Sequence, residues 1–130
     1  MVERNETKLP EYITEEERKH YEEKCLELAE KYKVVKVHAF VTLRANDPDN
    51  TRIVGYFHEP NYITKLTAMD KAMQQSPRIA ANEISELCIL REESSPEVYS
   101  DNPVNDRYRL GAAEFCMSII KISTDLLKKN

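Results

Sequence analysis

The residues able to do chemistry are few and scattered. Three histidines, His20, His38 and His58, are the groups whose protons move near neutral pH. His38 and His58 fall on two segments that read as paired strands, where they share the polar face of a hairpin. Two imidazoles begin a zinc or nickel site only if a third ligand joins them, and none stands at a recognisable spacing. Surface histidines without metal are the expectation. Cys25, Cys88 and Cys116 are odd in number and widely spaced, with no C-x-x-C pair and no apolar leader before them. Each lies among apolar neighbours on a segment that reads as helix. That predicts buried free thiols in a reducing compartment. A Cys–His couple would need those thiols exposed, and no Ser or Cys occupies a nucleophile-elbow context. The carboxylate runs Glu15-Glu16-Glu17 and Glu92-Glu93 have no companion Asp-x-Asp and read as solvated charge. With only two glycines in 130 residues, phosphate-cradling loops and dinucleotide-binding turns are excluded. The expectation is a protein that is not an enzyme and takes no cofactor.

Charge and hydropathy narrow the partners. Nineteen Lys and Arg against 23 Asp and Glu leave a net charge of −4, unlike the basic stripe of a nucleic-acid binder. Residues 76–101 hold six acids and two bases, whereas residues 102–130 hold five bases and three acids. An acidic face meeting one protein partner is one reading of that split. No apolar run approaches the roughly 18 residues of a membrane span. A cytoplasmic protein with a protein partner, and with neither nucleic acid nor membrane, is expected.

The elements that must position these residues are mostly helical. Residues 1–13 read as a polar arm ending in apolar Leu9, Tyr12 and Ile13, and residues 14–130 as a single domain. Thr14 and Glu17 form a capping-box pattern that opens a helix to about Lys33, with Tyr21, Cys25, Leu28, Ala29 and Tyr32 on one stripe. Val34–Leu43 then alternates with period two: Val35, Val37, Ala39, Val41 and Leu43 point one way and Lys36, His38 and Thr42 the other, with Phe40 out of pattern. Turn residues 45–50 lead to a returning strand over Thr51–Phe57. A lone hairpin is marginal in water, so a helix must cover it or a further strand must join it.

Pro60 suits the first turn of a helix running to about Gln75, with Ile63, Leu66, Met69 and Met73 on one face. Ser76-Pro77 stops it and restarts a helix that turns Ala80, Ile84, Leu87 and Cys88 inward. Residues 91–102 form a connection with one possible helical turn at Ser95–Tyr99. Asn102-Pro103 opens a last helix to about Lys128. That helix has 11 apolar positions among the 18 from Leu110 to Leu127, more than the arc of about 100° a surface helix needs. Gly111 near its start allows another backbone to come close. The fold class is therefore α+β, one antiparallel hairpin packed by about four helices. The residues expected to meet a partner are Phe115, Ile119 and Ile122 on the last helix, with Met69 and Met73 as adaptable contacts.

The order of elements also resembles that of the tail assembly chaperones of long-tailed bacteriophages. The pieces that carry the resemblance are Ile53-Val54-Gly55-Tyr56-Phe57-His58-Glu59-Pro60, the helix of residues 64–73, Ser76-Pro77 with the helix after it, the acidic connection and the apolar last helix. It covers about residues 34–127 and is one of pattern. It implies a non-catalytic protein that binds the helical, aggregation-prone tape-measure protein in the host cytoplasm during tail building and is absent from the finished particle. Two other readings fit the same sequence: a small structural component of a head, neck or tail that forms a homo-oligomer, and a small inhibitor or adaptor that binds one protein through an acidic face.

Overall fold

The computed structural model describes Pro10 and residues 12–128, with side chains placed through Ile119. Helix α1, Glu15–Tyr32, starts where the capping box sets it: the Thr14 hydroxyl accepts from the Glu17 amide at 3.1 Å, and the Glu17 carboxylate accepts from the Thr14 amide at 3.5 Å. It ends on Lys33 in the left-handed region, φ 56°. There Lys33 N–H donates to Glu30 and Val34 N–H to Ala29, the paired bonds of a Schellman turn. This termination takes Val34 and Val35 out of the strand. Strand β1 is Val37–Leu43 rather than Val34–Leu43, and Val35, expected inward, is 94% exposed.

Strand β2, Arg52–His58, pairs antiparallel with β1 in the register Val37↔His58 through Leu43↔Arg52. The intervening loop folds around Asp47, whose carboxylate accepts from the Asp49 and Thr51 amides, with Asn46 and Asn50 at positive φ. The register sorts the side chains into two sets. Val37, Ala39, Val41, Val54 and Tyr56 face α1 and join Tyr21, Leu28, Ile13 and Leu90 in one core. Phe40, Ile53 and Phe57 face the opposite way into a second core. Phe40 is therefore no exception to the alternation. The hairpin has no solvated face, and its "polar" side is the floor of the larger core.

Helices α2 (Tyr62–Gln74), α3 (Pro77–Cys88) and α4 (Asp106–Lys128) build that second core. Asn61 caps α2, accepting from the Thr64 amide at 2.9 Å; Pro60, expected in the first turn, is buried just ahead of the cap. Ser76 caps α3, with Pro77 as its first residue. Asn102 caps the 3-10 turn Pro103–Asn105, which leads directly into α4. The core itself is Ile53 and Phe57 of β2, Ala68 of α2, Ala81, Ile84 and Cys88 of α3, Val98 of the following connection, and Tyr108, Ala112, Cys116 and Ile119 of α4.

The connection between α3 and α4 does the work of a further strand. Leu90 N–H and Ser95 N–H donate to the carbonyls of Tyr56 and Val54 at 2.8 and 2.7 Å. The Ser94 and Ser95 hydroxyls accept from the amides of the same two residues, at 2.9 and 3.0 Å. The outward backbone of β2 is thus paired, half of it by side chains, which removes an edge that would otherwise invite another strand.

Both glycines serve this packing, and neither has a positive φ. A Cβ on Gly111 would stand 3.1 Å from the Phe40 ring, and one on Gly55 would stand 3.0 Å from both the Phe57 ring and a Val98 methyl. Phe57 and Val98 are buried and have no room to give way. Gly55→Ala is therefore expected to lower unfolding free energy by about 1–3 kcal/mol, the usual cost of overpacking, read by urea denaturation.

Candidate functional site

Helix α2 is amphipathic in the reverse of the usual sense. Its small residues Thr64, Ala68 and Ala72, spaced i, i+4, i+8, turn toward the body of the protein, and Ala68 is its one fully buried residue. Tyr62, Ile63 and Met73 stand outward at 73%, 67% and 87% exposure, with Leu66 beside them. Tyr62, Leu66, Met69 and Met73 repeat at i, i+4, i+7, i+11, the spacing of a helix-pairing seam. Met69 lies half-buried at the inner margin of that seam. Contiguous apolar side chains left in water on one helix face mark an interaction surface more often than a packing accident.

Two ion pairs flank the small inner face of α2. Lys65 Nζ lies 2.5 Å from Glu59 Oε2, and Lys71 pairs with Glu83 of α3. Glu59 Oε1 lies 2.6 Å from His38 Nε2 on β1, so one carboxylate links the hairpin to the first turns of α2. Burial pushes the Glu59 carboxyl up, but the hydrogen bonds and charge of His38 and Lys65 outweigh it and hold it at about 2.

The structure separates the residues the sequence grouped for chemistry. His38 and His58 project from opposite faces of the hairpin, because His38 pairs with Phe57 and His58 with Val37. His38 is buried at 6% exposure rather than solvated, and His20 is exposed on α1. Among the described residues no group of three His, Cys, Asp or Glu side chains could hold a metal ion. Cys88 and Cys116 are buried and Cys25 partly so; burial raises the first two thiols and Cys25 as well, Cys25 and Cys88 to about 11. These are packing thiols held in the neutral form.

Two carboxylates read as solvated are structural. Glu17 grips Arg52 of β2 through both oxygens, at 2.9 and 3.1 Å, and the guanidinium holds its carboxyl below the ordinary range. Glu93 receives Lys31 at 2.7 Å and the Tyr32 hydroxyl at 3.0 Å, pinning the connection to the end of α1. A cleft of about 410 Å³ opens between α3, the connection and α4, lined by Asn82, Ser85, Arg91, Tyr99 and Arg109 among others. Its guanidiniums are already engaged, Arg109 by Asp101 at 3.2 Å and Arg91 over the Tyr99 ring.

Of the residues expected to meet a partner, two belong to the core instead. Ile119 is 2% exposed, and the Phe115 ring packs between those of Phe40 and Phe57 at centroid distances of 5.5 and 5.9 Å. Up to Ile119, the apolar side chains of α4 pack against α3 on one side and the hairpin on the other, although Leu110 is left outside at 67% exposure. The side chain of Ile122 lies outside the described residues. Met73 and the half-buried Met69 share the seam of α2; its other members, Tyr62 and Leu66, and the exposed Ile63 beside them were not among the expected partner contacts. The periodicity places Ile63, Leu66, Met69 and Met73 on one face, without Tyr62, and nothing in it tells outward from inward. No family model, curated protein or solved structure matches the chain. Among the described residues no helix is long and apolar enough to cross a membrane.

Because the Glu59 carboxyl sits lower in the folded chain than its ordinary value of 4.5, the stability it contributes is complete above that value and is lost as pH falls toward about 2. The stability difference between the wild type and Glu59→Gln is expected to shrink over that window, measured by urea unfolding at a series of pH values. A difference that stays constant would show that the ionised carboxylate contributes nothing.

Proposed function

We propose that the protein is a non-catalytic assembly chaperone that holds an apolar helical segment of another protein against the outward face of α2. The observation that carries this reading is the reversed helix: Tyr62, Ile63 and Met73 lie in water, Leu66 is exposed over about a third of its surface, and Ala68 is buried. A client helix laid along such a seam recovers about 25 cal/mol for each Å² of apolar surface removed from water. Methionine at two of the four seam positions suits clients of varied shape, since the unbranched thioether repacks at little cost. The net charge of −4 favours keeping a loaded complex in solution. The resemblance to phage tail assembly chaperones supplies the class of client: a long helical tape-measure protein, bound in the host cytoplasm until the tail tube forms around it.

The test is a titration of a fluorescent synthetic amphipathic helix, with leucine at its a and d positions, followed by anisotropy. Ile63→Asp and Met73→Asp are each expected to weaken binding by about tenfold or more. Both should leave circular dichroism and melting temperature at wild-type values, because each side chain is exposed. Unchanged affinity in both variants would overturn the assignment. Phe115→Asp, by contrast, buries a charge among Phe40 and Phe57 and is expected to abolish the fold.

A further inference from the structure

We infer that, without a client, the α2 seam is capped by the α2 seam of a second copy, in an antiparallel pair about a two-fold axis. The inference rests on the reading of this face as the client site and adds how that site is kept from aggregating. Three features of the surface point to it.

The first is shape. Reversing the helix about the midpoint of the seam sets Tyr62 against Met73 of the second copy and Leu66 against Met69, each contact made twice. The outer contacts join a thioether to an aromatic ring, a favourable pairing. The inner ones fill the centre with side chains of similar length. A surface that maps onto itself in this way meets the requirement of an isologous interface.

The second is charge. No charged residue occupies the four seam positions. The alternative, a parallel pair, would draw on Lys65 reaching Asp70 of the neighbour, the g-to-e contact of parallel coiled coils. Lys65 is already committed to Glu59 at 2.5 Å. Antiparallel pairing leaves that ion pair intact and opposes the two helix dipoles.

The third is area. From the fractional exposures of Tyr62, Ile63, Leu66 and Met73, each copy offers roughly 500 Å² of apolar surface. Two copies together reach roughly 1,000 Å², the lower bound of a specific interface. Such a pair is stable enough to form at working concentration and weak enough for a client helix to displace.

The experiment uses the full chain. Sedimentation equilibrium is expected to show reversible dimerisation of the wild type, abolished by Met73→Asp. Under mild oxidation the double variant Tyr62→Cys with Met73→Cys should form a covalent dimer. Tyr62→Cys and Met73→Cys alone should not, since in the antiparallel pair each meets its own counterpart only across about 16 Å. Wild type treated identically controls for Cys25, Cys88 and Cys116. A wild type that remains monomeric overturns the inference, as does a dimer indifferent to Met73→Asp or a single variant that crosslinks as fast as the double. Adding the synthetic amphipathic helix separates this result from the functional reading. A monomer that binds the helix refutes self-capping alone, whereas a crosslinkable dimer that the helix never displaces supports self-capping and counts against the client.

Discussion

The hairpin cannot stand alone, and the rest of the molecule is arranged around that fact. Two seven-residue strands offer too little surface to persist in water. Here they are buried on both faces: α1 seals one, and α3 with α4 seals the other. Two separate cores therefore share one thin sheet, and each depends on the strand register that assigns Val37 and Val41 to one side and Phe40 and Phe57 to the other. A slip of one residue would exchange the two sets and spoil both cores at once. The close approach at Gly111 reinforces that arrangement, since it admits the Phe40 ring of β1 against the backbone of α4.

Much of this was readable from local chemistry. Thr14, Ser76 and Asn102 announce helix starts because a side-chain oxygen beside unsatisfied amides is a property of neighbouring residues alone. The hairpin and its loop follow from period-two alternation and turn residues in the same way. What the sequence withheld is which side of an element faces inward when both sides carry apolar residues. Phe40 looked like a break in the pattern because a strand was assumed to have a wet face. Phe115 and Ile119 looked surplus because the apolar arc of α4 was compared with one neighbouring surface rather than two. On α2 the periodicity found the seam, but only the tertiary arrangement shows that alanines and a threonine, not the larger residues, were chosen for the inside. Long-range pairs such as Glu17–Arg52 and His38–Glu59 leave no local trace.

The same contrast separates the functional surface from the scaffold. Where the fold must be fixed, large side chains are enclosed and small ones grant access: Gly55 to Phe57 and Gly111 to Phe40. On α2 the distribution is inverted: small residues face inward, with ion pairs from Lys65 and Lys71 at their margins. A helix attached through small residues and charges keeps its large apolar side chains available. Of the groups that might have suggested chemistry, Glu17 and Glu93 tie elements together, their carboxyls held low by Arg52 and Lys31, and burial pushes the three thiols up.

The Glu17 carboxylate is shared between two tasks. Oε1 closes the capping box of α1 and, with Oε2, holds the Arg52 guanidinium at the start of β2. The first turn of a surface helix ordinarily opens on its own, far more often than the whole protein unfolds. Here that opening would release the guanidinium as well. The end of the hairpin and the end of the helix are made to loosen together or not at all, so a weak local contact acquires some of the cooperativity of the global fold.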